Sequence, residues 1–420
     1  MTAWKFSTRQ FALLLSCFLV IFAAAGIVSH YGVQGNPWLE RFLCRFGLCN
    51  DDALRDSGYQ LLSQGDKASI AAAVETFRES VRRDPASTYR WCTLAEALLA
   101  AGQRDEARQC IERALVLGPN MGQILMRAAA FYFEVDQKKE ALHCMSSLLS
   151  KTSDFDASIF SAYARHSVGI DNILNDGLPP LERPGQAHFR FMMSQESTTA
   201  DDARKAWQRL VAHQWTSDKL AGEYVDFLLK KHEYDAACDA WLMQLANRAG
   251  DYPRANVLFN GDFEMEPTGG VLDWRITKAG EVEVSRDSDT VRQGGWSLRV
   301  RFAGNENLAF GHVTQRCVVE PGSYRFEGWI KTEEITTDQG LGWRIFDPES
   351  SARLDVNFDN RIGTVEWTKQ EKIISVPPQT RLLEVQLIRR QTLKFDNKIA
   401  GTVWIDGLRL EPIRLSSNAH

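Results

Sequence analysis

Small and large apolar residues recur at helical spacing between residues 90 and 119, and the pattern breaks once, at Gly102. Such a period predicts two helices joined by a tight turn. The hairpin ends at Pro119, and the preceding helical stretch ends at Pro85, a spacing of about 34 residues that is typical of repeated helical hairpins. The next stretch ends after a similar interval, in LLSKTS. The sequence therefore predicts a repeated helical hairpin.

This repeat resembles the tetratricopeptide pattern, which has the same period. The matching positions in three successive units are Ala73, Phe77 and Pro85, then Trp91, Leu94, Ala95, Gly102, Ala107, Ala114 and Pro119, then Ala129, Tyr132 and Ala141. The third unit lacks the Gly and the Pro. Because helical spacing continues less regularly after Asp154, we expect a tetratricopeptide solenoid over residues 51–250. The resemblance implies a concave groove for a segment of a protein partner; the alternative is a rigid spacer.

Beyond residue 250 the helical period stops, and apolar residues alternate with polar ones. The stretches WSLRVRF, SYRFEGWIK, RLDVNF and LLEVQLI all alternate, and Gly, Pro, Asn and Asp fill the gaps between them. Many short strands without intervening helices predict an antiparallel β-sandwich or jelly roll, here over residues 256–413. The predicted fold class is multidomain, an α-solenoid followed by a β-sandwich.

The order of motifs in this region resembles the carbohydrate-binding modules of the galactose-binding-like jelly-roll type. NVLFNGDFE opens the region, GGWSLRVRF and VEPGSYRFEGWIKT follow, and VWIDGLRLEP closes it. In that group the opening and closing strands pair side by side. The resemblance implies a glycan ligand, although sandwiches of this kind also serve as protein-binding surfaces.

Several polar and aromatic residues in the predicted strands suit a glycan. Sugars are bound by aromatic faces flanked by amide and guanidinium groups, and the candidates are Trp329, Trp343, Arg344, Gln386 and Arg390. They line one groove if their strands share one sheet. The alternative is that Trp329 and Trp343 pack in the core or under loops.

Several relatives in the resembled group carry a structural calcium ion near the two ends of the domain. Glu264 and Asp406 fall in the matching opening and closing motifs, and Asp262 is adjacent. Calcium takes six to eight oxygen ligands, some from backbone carbonyls, so two or three carboxylates alone do not define a site. The alternative is that Asp406 caps a turn.

The N-terminal region, residues 1–30, contains an uncharged apolar run from Phe11 to Val28, FALLLSCFLVIFAAAGIV. This is long enough to span a membrane, and Lys5 and Arg9 before it predict a cytoplasmic N-terminus with the rest of the chain exported. A cleaved signal peptide is the alternative, because three alanines offer a cleavage site. In the linker that follows, residues 31–50, Cys44 and Cys49 stand close enough in sequence to close a small disulfide loop in an oxidising compartment.

Composition excludes several functions. There are 49 basic and 54 acidic residues, so the chain lacks the basic surplus of a nucleic-acid-binding protein. The sequence also lacks a phosphate-binding glycine loop, a nucleophile elbow and His or Cys pairs at metal-ligand spacing. We therefore expect a protein that is not an enzyme.

Together these features predict an adaptor anchored in the bacterial inner membrane with its bulk in the periplasm. Its sandwich would bind a polysaccharide or oligosaccharide and its repeats a protein, in the synthesis or export of surface polysaccharide. Two alternatives remain open: a scaffold that binds only proteins, and a carbohydrate-active enzyme.

Overall fold

The computed structural model describes residues 51–413, and these form two compact units that divide at Pro184 and Gly185. This division groups the helices after residue 185 with the sandwich, whereas the sequence prediction ended the solenoid at residue 250 and began the sandwich at residue 256. The predicted membrane segment, the linker and the Cys44–Cys49 disulfide lie outside the described residues. Within residues 51–413, no helix combines the length and hydrophobicity needed to cross a membrane.

The first unit is helical. Its elements are Asp51–Gln64 (α1), Lys67–Arg83 (α2), Thr88–Ala100 (α3), Arg104–Leu117 (α4), Gly122–Glu134 (α5), Lys138–Leu149 (α6), Asp156–Arg165 (α7), Ile170–Asn172 (α8) and a π-helical turn, Ile173–Gly177. Connections of a few residues join the successive pairs α1–α2, α3–α4 and α5–α6 into hairpins. The expectation of an α region followed by a β region is confirmed.

The turns of two successive hairpins have the same backbone conformation. Gly102 ends α3 in the left-handed region, with φ of 78°, and Asp136 does so at the equivalent position after α5, with φ of 57°. In both turns the next amide donates back to the helix, Gln103 to the Leu98 carbonyl (2.9 Å) and Gln137 to the Tyr132 carbonyl (2.8 Å). The turn therefore repeats even where the glycine does not.

Alanines at the repeat positions lie at the helix contacts. The fully buried members of this set are Ala73, Ala95, Ala107, Ala114, Ala129 and Ala141. A methyl side chain lets two helix backbones approach closely, and larger neighbours such as Phe77 and Leu98 fill the remaining space. The small residues in the sequence pattern are therefore explained by packing.

The second unit begins with helices and continues into strands. Its helices are Glu182–Ser194 (α9), which starts just before the boundary, Ala200–Ala212 (α10), Asp218–Lys230 (α11) and Tyr234–Leu245 (α12), with a 3₁₀ turn at Ala246–Ala249. Thr199 and Ser217 cap α10 and α11, because their hydroxyls accept from the amides of Asp202 and Leu220.

Strands make up the rest of the described chain: Arg275–Ile276 (β1), Val282–Asp287 (β2), Ser297–Ala303 (β3), Phe310–Val318 (β4), Gly322–Ile335 (β5), Gly342–Phe346 (β6), Asp355–Asn357 (β7), Gly363–Val376 (β8), Leu382–Arg389 (β9) and Ala400–Pro412 (β10). They form two antiparallel sheets. Sheet 1 has the order β1-β4-β9-β6-β7 and sheet 2 the order β2-β3-β10-β5-β8. The predicted sandwich is confirmed.

The core of the sandwich lies between the two sheets. Alternate residues of each strand point inward, as Leu383, Val385 and Leu387 do on β9. Trp274 and Trp343 are among the largest side chains that are fully buried. The apolar positions of the period-2 pattern that predicted the strands are thus the side chains that reach this core.

Helix α12 and the segment before β1 share a small aromatic core. The ring of Trp241 on α12 meets Phe259 edge-on at 5.8 Å between centroids, and Tyr252 meets the same ring at 5.7 Å. All three side chains are buried. Arg381 and Asp235 form an ion pair at 2.6 Å between the strand region and α12. Helix α12 is therefore packed on the sandwich, in agreement with a boundary that lies before it.

Strand β8 is the edge of sheet 2 and runs for 14 residues. Two of its side chains reach across to the chain around β7, the edge of sheet 1. The amide of Gln370 donates to the Asp359 carbonyl (2.7 Å), and the ammonium of Lys372 donates to the Asn357 carbonyl (2.6 Å). The two sheets are thus linked along this side.

Candidate functional site

Polar side chains form a row across the outer face of sheet 1. Backbone pairing places Thr314 of β4, Gln386 of β9, Arg344 of β6 and Asn357 of β7 next to one another. Each lies opposite the inward-facing residues of its strand, so the row faces away from the core. The structure therefore brings together two of the predicted glycan-binding residues, Gln386 and Arg344.

Both side chains already have partners within the protein. Gln386 donates to the Gly311 carbonyl at 2.9 Å. Arg344 makes a bidentate ion pair with Asp355, at 2.9 and 2.7 Å, and stacks on the ring of Phe346 at 4.1 Å. The hydrogen bonds from Arg344 hold the pKa of Asp355 below its ordinary value. These contacts fix the orientation of the row.

The row ends in a cleft of about 120 Å³ at one end of sheet 1. Gly342 of β6 and Ile388 of β9 are neighbours in register and form its floor. The walls come from the loop before β6, the chain after β7 and the end of β9: Gln339, Gly340, Asn357, Phe358, Asn360 and Arg390. The cleft thus combines an apolar floor with amide and guanidinium walls.

Arg390, the third predicted glycan-binding residue on this sheet, crosses the cleft. Its guanidinium donates to the side-chain oxygen of Asn357 at 3.1 Å, and the side chain is exposed. An exposed guanidinium with one neutral partner retains donors for hydroxyl groups of a ligand. Arg390 and Asn357 are therefore the best-placed polar groups of the cleft.

Trp343, which was predicted to line the glycan-binding groove, lies in the core of the sandwich. Trp343 lies on β6 but points inward, is fully buried and packs edge-on against Phe326 at 5.8 Å. The inward direction follows from strand alternation, since its neighbours Gly342 and Arg344 belong to the outer side. Because no face of its indole reaches the surface, Trp343 is a core residue and offers no platform to a sugar.

Trp329 lies on the other sheet. It is part of β5 in sheet 2, where it pairs with Asp406 and Lys369. The guanidinium of Arg292 covers its ring at 4.2 Å. The condition for the predicted groove, that the strands of Trp329 and Gln386 share one sheet, is therefore not met, and a loop residue covers one face of the indole.

Two of the three carboxylates predicted to hold calcium, Asp406 and Glu264, accept hydrogen bonds from the loop between β2 and β3. Asp406 is fully buried, and its Oδ2 accepts from the amides of Arg292 (2.9 Å) and Gln293 (3.0 Å). Glu264 Oε1 accepts from the amides of Gly295 (2.8 Å) and Trp296. The alternative prediction, that Asp406 caps a turn, thus describes one of its two oxygens.

The other oxygen of Asp406, Oδ1, is buried and has no hydrogen-bond partner among the described residues. Burial raises the pKa of Asp406, and the negative charge of Asp262 adds to the effect. In residues 51–413 no three His, Cys, Asp or Glu side chains converge as a metal cage. A calcium ion here would therefore take Asp406 Oδ1 and Asp262 together with backbone oxygens, while Glu264 Oε1 stays on the loop amides.

Sequence reasoning missed Asn357, Ile388 and Arg389. Alternation along LLEVQLIRR, with Leu383, Val385 and Leu387 inward, already indicates that Ile388 faces outward and Arg389 inward. Asn357 is the fifth residue of the short alternating stretch RLDVNF, which carried no other signal. The cleft itself depends on loops that meet only in the folded chain.

Comparison with known proteins gives likenesses to solved structures alone. No protein-family model matches the sequence, and no curated protein matches it. The chain is similar to TmCBM61 in complex with beta-1,4-galactotriose, at 18% identity and a TM-score of 0.28, over 38% of this chain and 99% of that one. It is also similar to a xylan-binding domain from CBM 22, at 18% identity and a TM-score of 0.29, over 38% and 97%.

A third similar structure has a different description. The enzymatically active domain of tailspike protein 4 from bacteriophage CBA120 matches at 15% identity and a TM-score of 0.29, over 38% of this chain and 22% of that one. This chain thus spans about a fifth of the tailspike domain. One of these likenesses is thus to part of a larger enzymatic domain.

Proposed function

We propose that this protein binds a glycan in the cleft of sheet 1 and does not act on it chemically. The observation that carries the proposal is the pair Arg390 and Asn357, which face each other at 3.1 Å above the floor of Gly342 and Ile388. Amide and guanidinium groups bind sugar hydroxyls, and an apolar floor accepts the C–H face of a sugar ring. The order of motifs in the sequence supports the same ligand class.

We propose binding without catalysis because the cleft lacks the carboxyl groups that hydrolysis of a glycan needs. Hydrolysis of a glycosidic bond ordinarily requires two carboxyl groups on either side of it. The residues that line the cleft are glycines, amides, Phe358, Ile388 and Arg390, and none carries a carboxylate.

The helical region is the proposed partner-binding part of this adaptor, and we assign its hairpins to the tetratricopeptide type. The recurrence of the left-handed turn at Gly102 and, one repeat later, at Asp136 supports this assignment. The uncharged run at residues 11–28 supports an anchor in the bacterial inner membrane, with the described residues in the periplasm. Glycan binding there suits the synthesis or export of surface polysaccharide.

A structural calcium ion is part of the proposal. Asp406 Oδ1 is a buried carboxylate oxygen without a partner in the described chain, and the charge of Asp262 acts on it. Bound calcium would offset the cost of holding these two negative charges together. The ion would stabilise the loop between β2 and β3.

A second candidate function is a scaffold that binds only proteins. The observation that favours it is that Arg292 covers one face of the Trp329 ring. In that case the outer faces of both sheets would be surfaces for proteins.

The test is glycan binding by the full chain. A glycan array with neutral and acidic members finds the ligand class, and calorimetry follows with β-1,4-galactotriose, xylohexaose and the best array members. We expect Arg390→Ala and Asn357→Ala to weaken binding about tenfold or more, because each removes hydrogen bonds to the ligand.

Arg325→Ala is the matched control, because Arg325 is also an exposed arginine but lies on sheet 2, paired with Glu371 at 3.5 Å. It should leave the affinity unchanged. Equal losses from Arg325→Ala and Arg390→Ala would move the site away from the cleft. A folded chain that binds no glycan would sink the proposal and favour the scaffold.

A further inference from the structure

Two apolar side chains stand fully in solvent on the connection between β9 and β10. Leu393 is 102% exposed and Phe395 is 104% exposed relative to an extended reference. Among the described residues no other large apolar side chain is above 69%. A phenylalanine and a leucine held entirely in water, two positions apart, are costly unless something covers them.

The chain that carries these two side chains is tied down on both sides. Thr392 Oγ1 donates to Asp338, and its carbonyl accepts from Asn307 at 2.9 Å. Lys394 forms an ion pair with Asp338 at 3.1 Å. On the far side, the guanidinium of Arg389 donates to the Asn397 carbonyl at 3.3 Å. The tip is therefore presented on an anchored loop, which lowers the entropy lost on binding.

The tip stands beside the cleft of sheet 1. Arg390, a cleft residue, begins the connection that leads to Leu393. Asp338, which holds Thr392 and Lys394, is followed by Gln339, another cleft residue, and Arg389 donates to the Gln339 carbonyl at 2.9 Å. One wall of the cleft is therefore continuous with the loop that carries Leu393 and Phe395.

We propose that Leu393 and Phe395 form an apolar lip that packs on the ring face of a sugar unit extending out of the cleft. The proposal rests on the proposed function and deepens it, because it makes the ligand an oligosaccharide longer than the cleft. The cleft, at about 120 Å³, is small against the roughly 300–1,000 Å³ of pockets that bury a drug-sized ligand, so it would take only one end of an oligosaccharide. The next unit along the chain would meet the lip, where an aromatic ring covers its C–H face.

The charges around the lip favour a sugar over an anionic membrane surface. Lys394 is neutralised by Asp338. Asp396 lies next to Phe395, and Lys398 follows two positions later, so these two charges offset each other. A lip that inserts into anionic lipid is expected to be ringed by unpaired basic residues. With Lys394 paired and Lys398 offset by Asp396, this connection carries no such basic ring.

The test measures how affinity depends on ligand length. Calorimetry with the full chain would use galactose, xylose and their β-1,4-linked oligosaccharides from dimer to hexamer. We expect Phe395→Ala to weaken binding of the dimer and longer members about tenfold and to leave the weak binding of the monosaccharide unchanged, because the second sugar unit loses the apolar surface of the phenylalanine ring. Leu393→Ala should give a smaller loss of the same kind.

Ile373→Ala is the control, because Ile373 is an apolar side chain 67% exposed on β8 of sheet 2. It should leave every affinity unchanged. If Phe395→Ala binds all lengths as the native chain does while Arg390→Ala loses binding, the lip is refuted and the cleft stands. If the native chain binds no oligosaccharide, the proposed function itself fails. Binding to phosphatidylglycerol vesicles that Phe395→Ala abolishes would overturn the sugar lip in favour of a membrane contact.

Discussion

At the scale of the residue, Asp406 holds a charge in an unfavourable place. Its Oδ2 satisfies two loop amides, yet Oδ1 has no partner in the described chain and Asp262 lies near enough to oppose its ionisation. Burial is the main reason that its pKa is raised above 3.8. The folded protein therefore binds a proton at Asp406 more readily than the unfolded chain does, and the ionised carboxylate costs stability.

Because the raised pKa makes the ionised carboxylate destabilising, it predicts how the melting temperature of Asp406→Asn compares with that of the native chain in the presence of a chelator. The cost of the ionised carboxylate is absent below pH 3.8, grows as the pH rises to the raised pKa and is full above it. Asn keeps an oxygen for the loop amides and removes the charge. We expect the variant to have the higher melting temperature at pH 7 and the difference to shrink toward pH 4, measured by calorimetry of the full chain.

Calcium should reverse the order of the two melting temperatures, so that the native chain is more stable than Asp406→Asn. If the ion binds the ionised Asp406, millimolar calcium raises the melting temperature of the native chain and leaves that of Asp406→Asn nearly unchanged. Asp396→Asn is a control, since Asp396 is exposed on the loop after β9. A native chain whose melting temperature does not respond to calcium would contradict the calcium proposal while leaving the pH prediction intact.

Arg389 shows what single residues reveal in the sequence and what they conceal. Alternation along β9 predicts an inward side chain, and Arg389 is indeed buried. An inward arginine without a nearby carboxylate in sequence has no evident partner. In the structure its guanidinium donates to carbonyls of Gln339, Leu308 and Asn397, in three separate loops. Its direction was thus predictable and its role was not, because two of those carbonyls belong to residues far away along the chain.

At the scale of the element, two hairpin turns differ in the residue that occupies the same backbone position. Gly102 and Asp136 occupy the same left-handed position in successive hairpins. Glycine adopts this conformation freely, whereas a residue with a Cβ is strained. No described atom lies within 4 Å of where a Cβ on Gly102 would be, so the cost of a side chain there is that of the backbone alone.

We therefore expect opposite effects from two substitutions. Gly102→Ala should lower the free energy of unfolding of the first unit by about 1 kcal/mol. Asp136→Gly should raise it by about 0.5 kcal/mol, since relief of strain is partly offset by the flexibility of glycine in the unfolded chain. Urea denaturation followed by circular dichroism measures both. Two losses of similar size would mean that Asp136 makes a compensating contact.

Element types were predictable because each has a local period, but the membership of the sheets was not. The strands that contain Trp329 and Gln386 alternate equally well. Trp329 joins sheet 2 because β5 lies between β10 and β8, and Gln386 joins sheet 1 because β9 lies between β4 and β6. Those neighbours are set by pairings between distant strands, which leave no mark on the local pattern. The prediction of one groove lined by both Trp329 and Gln386 was wrong for this reason.

At the scale of the molecule, the division of the chain has a consequence for stability. Trp241 on α12 buries its ring against Phe259, which belongs to the segment leading into the sandwich. The pairs Arg381–Asp235 and Arg275–Asp226 join the same parts at 2.6 and 3.3 Å. The helices after Gly185 and the sandwich therefore share buried surface and should unfold together.

A comparison of two fragments checks this expectation. Residues 185–413 should melt in a single transition, at a higher temperature than residues 256–413, which lack Trp241 and Tyr252 and leave Phe259 uncovered. In the longer fragment Trp241→Ala should lower stability by about 3 kcal/mol or more, as is usual for a large buried aromatic side chain. Equal melting temperatures for the two fragments would place the functional boundary near residue 250 after all.

The bridges from Gln370 and Lys372 to the carbonyls around β7 bear on how this protein behaves when it is crowded. A 14-residue strand at a sheet edge is a template on which a second chain can add, and runs of such additions become fibrils. Here a newcomer must first displace two side chains that link the edges of both sheets, and must lie along a strand that carries Lys369 and Lys372. The same strand keeps Ile373 in the solvent. Refolding at high concentration should therefore yield dispersed chains. Loss of both bridges should make the edge at β8 the first site at which chains associate into fibrils.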